Sequence, residues 1–200
     1  MPRISAERQR DRRDMILAAG QRVFCSSGYA DASMTAIAQE AGVSPGLIYR
    51  YFEHKRELLN AVLLGFYDEV IADLEAAVSR ETAFRERIRA IVRAHIDVFR
   101  SYPDLCRLVL TELRFMSDYR STALFRLNQR YTSILTGAVR DGITEGVVAA
   151  GLDIRLLRDM LFGGIEHFAW RLLHPSGRAL DAERAARQIA DTLLDGICGT

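Results

Sequence analysis

The four prolines of this 200-residue chain stand only where the pattern of apolar residues breaks, at positions 2, 45, 103 and 175. Apolar residues elsewhere recur with a period near 3.6, and no segment alternates apolar and polar residues as a half-buried strand does. Proline inside a helix removes a hydrogen bond and clashes with the preceding turn, so this placement leaves long helices uninterrupted. The sequence therefore predicts an all-α protein of about nine helices.

Residues that start or stop helices mark the boundaries. Gly28 and Gly42 are expected to end the first two helices, and Ser33 and Ser44 to cap the second and third, with Pro45 at the first position of the third. We expect this third helix to run only to about residue 52. The remaining predicted helices span about residues 55–79, 83–100, 104–116, 118–145, 153–174 and 181–197.

Composition places the chain among globular proteins, with 49% apolar and 26% charged residues. No apolar run approaches the roughly 20 residues of a membrane span, and the charged N-terminus is unlike a secretory signal. Cys25, Cys106 and Cys198 are far apart and form no CxxC pair, which favours reduced thiols over disulfides or a zinc site. We therefore expect a cytoplasmic protein without a membrane segment, a metal or a cofactor.

A helix-turn-helix is indicated by residues 33–52, where two short helices are predicted on either side of a four-residue turn. The second helix of this motif enters the major groove of DNA with its N-terminal part toward the bases. It must be short and amphipathic, and Ile48 and Phe52 are spaced to face inward together. Tyr49, Tyr51 and Lys55 can donate hydrogen bonds to phosphate oxygens. The alternative is that the tyrosines belong to the core and the lysine is a solvated charge.

The segment from Arg13 to Leu59 resembles the DNA-binding domain of TetR-family repressors. The resemblance rests on the stretches ILAAGQRVFCSSGY, SMTAIAQEAGVSPGLIYRYF and HKRELLNAV. It implies a DNA-binding domain over residues 1–55, an effector and dimerisation domain over residues 56–200, and DNA contacts by Thr35, Ser44, Pro45, Gly46, Leu47, Tyr49, Arg50, Tyr51 and Lys55. A polar residue is frequent in the family at the position of Leu47, so this side chain is expected to touch a thymine methyl group.

Positive charge is concentrated at the N-terminus, although the net charge of the chain is only +1. Residues 1–13 have a local net charge of +3, since Glu7 and Asp11 oppose five arginines, Arg3, Arg8, Arg10, Arg12 and Arg13. This arm precedes the first apolar stripe, so we expect its removal to leave the fold intact. On one interpretation it binds the DNA backbone or the minor groove, and its removal lowers affinity. On the other it is a tail without a partner.

The C-terminal half is similar to the branch of TetR repressors that controls fatty-acid degradation and responds to long-chain acyl-CoA. The similarity lies between Leu110 and His167 and includes TELR at residues 111–114 and FGGIE at residues 162–166. It implies a repressor that a hydrophobic effector, most closely a long-chain acyl-CoA, releases from DNA. The alternative is a TetR-type repressor of an efflux or catabolic operon that responds to another lipophilic or aromatic molecule.

An acyl-CoA needs an apolar tunnel for its chain and arginines near the mouth for its phosphates. The expected ligand residues are Phe99, Arg114, Phe115, Tyr131, Leu135, Phe162, Ile165 and Phe168. Further arginines on the same helices are candidates for the phosphates, namely Arg85, Arg89, Arg93, Arg107 and Arg130. The alternative is that the aromatic residues only fill a core and the arginines are solvated.

The helix predicted over residues 153–174 is apolar on two faces and therefore needs two neighbours. Its glycine pair costs roughly 1 kcal/mol per residue relative to alanine, which indicates a close backbone approach. With the helix over residues 181–197 it predicts a homodimer seam that contains Gly163, Gly164, His167, Trp170, Ile189, Leu193 and Ile197. The alternative is that both helices only close the core of the monomer.

Other classes of protein have less support in the sequence. No Ser-His-Asp order, paired-carboxylate constellation or phosphate-cradling loop indicates an enzyme. A metal sensor built on His95 and His167, and a structural DNA-binding protein without an effector, remain as alternatives. The sequence does not distinguish a repressor from an activator.

Overall fold

The structure, a computed structural model, describes residues 2–173 and 181–198, and of residues 2–5 and 172 only the backbone. This part of the chain contains nine α-helices and two short 3₁₀ turns, Leu113–Phe115 and Tyr119–Ser121. The helices are α1 (Pro2–Asp31), α2 (Met34–Glu40), α3 (Pro45–Ile48), α4 (Lys55–Ser79), α5 (Phe84–Ser101), α6 (Pro103–Thr111), α7 (Ala123–Thr144), α8 (Ile154–Leu173) and α9 (Ala182–Ile197). The predicted all-α fold class is confirmed.

Two compact units make up the chain. The first contains the residues up to Phe66 together with Asp104–Leu124, and the second contains Tyr67–Pro103 and the residues from Phe125 onward. The first unit thus joins α1, α2, α3 and the start of α4 to α6 and both 3₁₀ turns. The predicted boundary between residues 55 and 56 divides a DNA-binding domain from an effector and dimerisation domain. This is a division by function, and it stays a prediction.

The core of the first unit holds the helix-turn-helix in place. Ile48 and Phe52 are buried, as their spacing predicted. Fully buried partners come from three other helices, namely Ile16 and Phe24 of α1, Ile37 of α2, and Leu58 and Leu59 of α4. Each such side chain stabilises the unit by about 1.5–3 kcal/mol through apolar burial.

The predicted caps are confirmed. The hydroxyl of Ser33 accepts a hydrogen bond from the Ala36 N–H at 3.1 Å, and that of Ser44 accepts one from the Leu47 N–H at 3.3 Å. Pro45 occupies the first position of α3, where its missing N–H costs nothing. These contacts start α2 and α3 at the predicted residues and so set the turn between them.

Four predicted boundaries differ from the structure. The helix predicted from residue 118 begins at Ala123, because Tyr119–Ser121 forms a separate 3₁₀ turn before it. The N-terminal arm is helical from Pro2 because its arginine, glutamate, glutamine and alanine residues are good helix formers. The third helix ends at Ile48 instead of about residue 52, since the Arg50 and Tyr51 N–H groups bond carbonyls three residues back and so form tight turns. The helix predicted to residue 116 ends at Thr111, beyond which Leu113–Phe115 forms a 3₁₀ turn.

Candidate DNA-binding and effector sites

Most of the side chains expected to contact DNA are exposed around α3. Thr35, at the start of α2, and Tyr49 and Arg50, in the turn after α3, are exposed, and Tyr49 is 52% exposed. Ser44, Pro45 and Gly46 are also exposed, whereas Leu47 and Tyr51 are half-buried. The arrangement presents hydroxyl donors, one guanidinium and the N–H groups of a helix start, which together suit phosphates and base edges. Contact with DNA by each residue stays a prediction.

Lys55 has partners other than the expected phosphate. Its ammonium donates hydrogen bonds to the carbonyls of Tyr29, Ala30 and Ala32 at 2.5, 3.0 and 2.7 Å. It also lies 4.5 Å from the centroid of the Tyr29 ring. An ammonium has three N–H donors, and all three are engaged by carbonyls at the end of α1. In this structure Lys55 joins the start of α4 to the end of α1, which sequence reasoning missed.

Gly28 and Glu112 form a second joint at the same end of α1. Gly28 has a φ of 77°, a left-handed conformation that favours glycine, and a Cβ there would lie 2.9 Å from Oε1 of Glu112. The other carboxylate oxygen of Glu112 accepts a hydrogen bond from the Tyr29 N–H at 2.7 Å. Arg56, one residue after Lys55, pairs with Asp118 at 3.0 Å. The segment 104–124 is therefore held against the end of α1 and the start of α4.

Three of the expected ligand residues meet around a buried histidine in the second unit. The rings of Phe99, Tyr131 and Phe162 lie 5.3, 5.6 and 4.7 Å from that of His95, between centroids. Nδ1 of His95 lies 3.0 Å from the Tyr131 hydroxyl. We call these four residues the aromatic cluster. Within this cluster His95 and Tyr131 form a polar pair in an apolar interior. No pattern in the sequence indicated that His95 belongs to the cluster.

The other expected ligand residues have different surroundings. Arg114 and Phe115 belong to the first compact unit, and Phe115 is 81% exposed. Ile165 and Phe168 line a surface groove together with residues expected at a dimer seam. Leu135 is fully buried in the second unit. That these eight residues form one ligand site stays a prediction.

Most of the arginines proposed for CoA phosphates are already paired with carboxylates. Arg85, Arg89 and Arg93 are spaced by four residues along α5, and each pairs with a carboxylate of α9. The partners are Asp195 at 3.0 Å, Asp191 at 2.9 Å and Glu183 at 3.7 Å. Hydrogen bonds to Asp191 and Glu86 raise the pKa of Arg89 further above its ordinary value.

The remaining two of these arginines have carboxylate partners as well. Arg107 pairs with Asp104 and Arg130 with Glu75, at 3.0 and 2.9 Å. Pairing at exposed sites contributes little stability, but it lowers the positive potential that a phosphate would meet. A phosphate at these positions would have to compete with a carboxylate.

An apolar groove of about 690 Å³ runs between α8 and α9. Four of the expected dimer residues, Gly164, Ile189, Leu193 and Ile197, line it. The other three, Gly163, His167 and Trp170, are exposed on α8, where Leu156 and Met160 are 57% and 66% exposed. A Cβ built on Gly163 or Gly164 would meet no atom within 4 Å. The close approach predicted for this glycine pair is therefore not made within the described chain.

Two groups outside these sites have displaced pKa values. A hydrogen bond to Glu69 and burial raise the pKa of Tyr102 to about 12. Burial, helped by Asp104, raises the pKa of the Cys25 thiol to about 11. Both groups are therefore neutral near pH 7, and neither is a candidate nucleophile or base.

Residues 2–173 and 181–198 are predicted to hold no metal site and no membrane span. No group of three or more His, Cys, Asp or Glu side chains there is arranged to hold a metal ion. His95 is buried in the aromatic cluster, whereas His167 is exposed on α8. No helix in these ranges is long and apolar enough to span a bilayer.

A helix-turn-helix followed by a separate helical unit is typical of DNA-binding regulatory proteins. Models of known protein families match the chain and describe proteins of this class. The model of bacterial regulatory proteins of the tetR family matches residues 16–62, and that of tetracyclin repressor-like C-terminal domains matches residues 81–197, more than half of the chain. The chain belongs to the TetR family of transcriptional regulators, and the predicted resemblance is confirmed. Members of this family are regulators and not enzymes.

Individual relatives extend over nearly the whole chain. The fatty acid metabolism regulator protein of Bacillus subtilis is 27% identical over 184 residues, which are 91% of this chain and 93% of that protein. The transcriptional repressor KstR2 of Rhodococcus jostii is 23% identical over 190 residues, 93% of this chain and 91% of that protein. The crystal structure of FadR from Bacillus subtilis with stearoyl-CoA aligns with a TM-score of 0.80 and 26% identity, over 92% of this chain and 98% of that chain.

Proposed function

We propose that this protein is a cytoplasmic repressor that binds a near-palindromic operator as a homodimer and leaves it when a long-chain acyl-CoA binds. The observation that carries the DNA-binding part is the exposed set of polar side chains on and around α3, held by the buried Ile48 and Phe52. Two copies related by a two-fold axis would place their α3 helices in successive major grooves, roughly 34–36 Å apart. Tyr49 and Arg50 are the residues proposed to read bases.

The groove between α8 and α9 supports the homodimer. Its walls are apolar, and Leu156 and Met160 in its lining remain exposed, as does Trp170 further along α8. A second copy would cover this surface and supply the close approach that the Gly163 and Gly164 backbone allows. The two α8–α9 pairs would then form a four-helix bundle.

The effector is proposed from the relatives and from the interior of the second unit. FadR of Bacillus subtilis was crystallised with stearoyl-CoA and aligns over nearly its whole length. The aromatic cluster is an apolar interior with one polar pair, which fits a long acyl chain that carries a polar thioester. We expect the chain to enter near Phe162 and to displace the packing of these rings.

Release of DNA would proceed through the segment 104–124. The chain passes from the second unit to the first at residues 103–104 and returns at 124–125. Glu112 bonds the Tyr29 N–H and Asp118 pairs with Arg56, so a shift of this segment acts directly on the end of α1 and the start of α4. Tilting α4, which begins at Lys55, would move α3 and spoil the match between its two copies and the grooves.

An effector can do this only if it prefers the released state. A shift from 1:99 to 99:1 needs roughly 5.5 kcal/mol of such preference. An acyl chain of more than about ten carbons can supply it at roughly 0.8 kcal/mol per buried CH₂. Potency should therefore fall stepwise as the acyl chain is shortened.

The test is release of a DNA duplex selected by the protein from a random-sequence library. Fluorescence anisotropy of the labelled duplex would be followed against a series of acyl-CoAs, with free fatty acid and CoA alone as controls. We expect release by long chains, with a potency that rises with chain length. If an unrelated aromatic or cationic compound released the DNA and no acyl-CoA did, the proposed effector would be wrong. The proposal that the protein is a repressor would still hold.

A matched pair of variants locates the effector. Phe162→Leu changes the aromatic cluster, whereas Phe84→Leu changes a phenylalanine of α5 that is equally buried and packs on Gly142. Both should lower the free energy of unfolding by about 1–2 kcal/mol. Only Phe162→Leu should change how the acyl-CoA concentration for half-maximal release depends on the length of the acyl chain. Equal changes in both variants would place the acyl chain elsewhere.

A further inference from the structure

A basic cleft lies where the N-terminal part of α1 meets the end of the helix-turn-helix, and its lining includes Arg50, one of the two residues proposed to read bases. It has a volume of about 710 Å³ and is lined by Ala6, Gln9, Arg10, Arg13, Arg50 and Tyr51. The first four residues follow one face of α1 at spacings of three and four, and the last two come from the turn after α3. Three guanidinium groups therefore converge on one concave surface within the first unit.

Within the described part of the chain, these three arginines have no ion-pair partner, unlike the arginines proposed for CoA phosphates on α5. Among the residues that the structure describes, no carboxylate lies within 4.0 Å of Arg10, Arg13 or Arg50, whereas arginines of α5 pair with acids of α9. Of the acids of α1, Asp11 lies on the opposite side of the helix from the cleft, whereas Glu7 and Asp14 are neighbours of Arg10 at spacings of three and four residues, without forming an ion pair with it. The cleft thus presents three guanidinium groups that no carboxylate of residues 2–173 or 181–198 pairs within 4.0 Å.

The cleft is also held in shape. The guanidinium of Arg13 lies 5.3 Å from the centroid of the buried Phe52 ring, a cation–π contact that leaves its N–H edges available. Tyr51 is half-buried and presents a hydroxyl at the other wall. The α1 extension from residue 2 to 14 reaches about 20 Å, and the side chains of residues 6–15 are all exposed. Nothing in the core requires this extension to be helical.

We propose that the cleft binds a phosphate of the DNA backbone that flanks the half-site, so that α1 lengthens the contact beyond the helix-turn-helix. The inference rests on the proposed function, and it adds residues of α1 that the motif does not contain. Planar guanidinium groups bind phosphate oxygens through paired N–H donors, and the Tyr51 hydroxyl adds another donor. A flanking contact of this kind carries no base preference, so it raises affinity for every flanking sequence alike.

The experiment measures the affinity of the full chain for its selected site as the flanks are lengthened by single base pairs of changing sequence. The variant Arg10→Gln/Arg13→Gln removes two charges from the cleft and keeps good helix formers on α1. We expect the wild type to gain affinity once the flank reaches the cleft and the variant to lose that gain. The slope of log K against log salt concentration should fall in the variant by about 0.9 for each phosphate that it no longer binds.

The matched control is Arg8→Gln/Arg12→Gln, which removes the same charge from faces of the same helix that are turned away from the cleft. It should keep the gain from longer flanks, and thermal unfolding should show that both variants remain folded. Loss of the gain in the control as well, or its retention in the Arg10→Gln/Arg13→Gln variant, would overturn the cleft proposal while DNA binding stands. If the wild type selects no DNA at all, the proposed function fails first and this proposal falls with it.

Discussion

Replacing Met160 by glutamate is expected to convert the proposed homodimer to monomers and to abolish binding of the selected DNA duplex at concentrations that saturate the wild type. Met160 is 66% exposed on α8, next to the groove that α9 completes, so the change costs the monomer little. In a two-fold interface each substitution occurs twice. Two methionines lose their burial, at about 1.5–3 kcal/mol each, and two carboxylates must be desolvated. The dimer dissociation constant should rise on the order of a thousandfold or more.

Sedimentation equilibrium would measure this dissociation constant, and anisotropy of the selected duplex would measure DNA affinity. The matched control is Val147→Glu, since Val147 is also an exposed apolar residue, at 40%, but it lies in the turn after α7. It should remain dimeric and bind DNA as the wild type does. A dimer of normal strength in Met160→Glu would show that α8 and α9 only close the monomer, the alternative that the sequence left open.

The second large effect is expected from Lys55→Met, which keeps most of the side-chain volume and removes the ammonium. Three carbonyls at the end of α1 lose their shared donor. Hydrogen bonds to charged groups contribute about 1.5–3 kcal/mol each, and partial access of water offsets part of the loss. The free energy of unfolding should fall by about 2–4 kcal/mol, measured by urea denaturation. DNA affinity should fall because the joint between α1 and α4, which supports the helix-turn-helix, is weakened.

The dependence on salt separates this joint from the phosphate contact that the resemblance implied. Removal of a phosphate contact lowers the slope of log K against log salt by about 1, whereas removal of a joint within the fold leaves the slope unchanged. Lys55→Arg sharpens the distinction, because a guanidinium retains the charge but not the compact three-donor geometry. Stability should fall in this variant too. If Lys55→Met and Lys55→Arg were both as stable as the wild type, and the slope of log K against log salt fell in Lys55→Met, Lys55 would instead be a phosphate contact.

Several features of the candidate sites could be predicted from the sequence because they depend on local chemistry. Ser33 and Ser44 start their helices through hydrogen bonds to N–H groups three residues ahead, so the residue type and its place determine the cap. The spacing of Ile48 and Phe52 determines which face of the helix-turn-helix is buried. The long helix from Lys55 to Ser79 follows from periodicity alone.

Contacts between residues distant in sequence were decided only by the tertiary structure. Nothing local shows that the Lys55 ammonium reaches the carbonyls at residues 29, 30 and 32, or that Glu112 meets the Tyr29 N–H 83 positions away. A basic residue on the surface looks the same in sequence whether it faces solvent, a phosphate or a carboxylate.

The ion-pair partners of the arginines could not be predicted from the sequence for the same reason. Arg89 lies on α5 as an ordinary basic residue, yet it pairs with Asp191 of α9, whereas Arg10 has no carboxylate within 4.0 Å among the described residues. A helical hydrogen bond joins residues four positions apart, so the sequence by itself determined where most helices lie, the caps of α2 and α3, and the buried face of the helix-turn-helix. The partners of charged side chains depend on which helices pack together, and that was decided only when the chain folded.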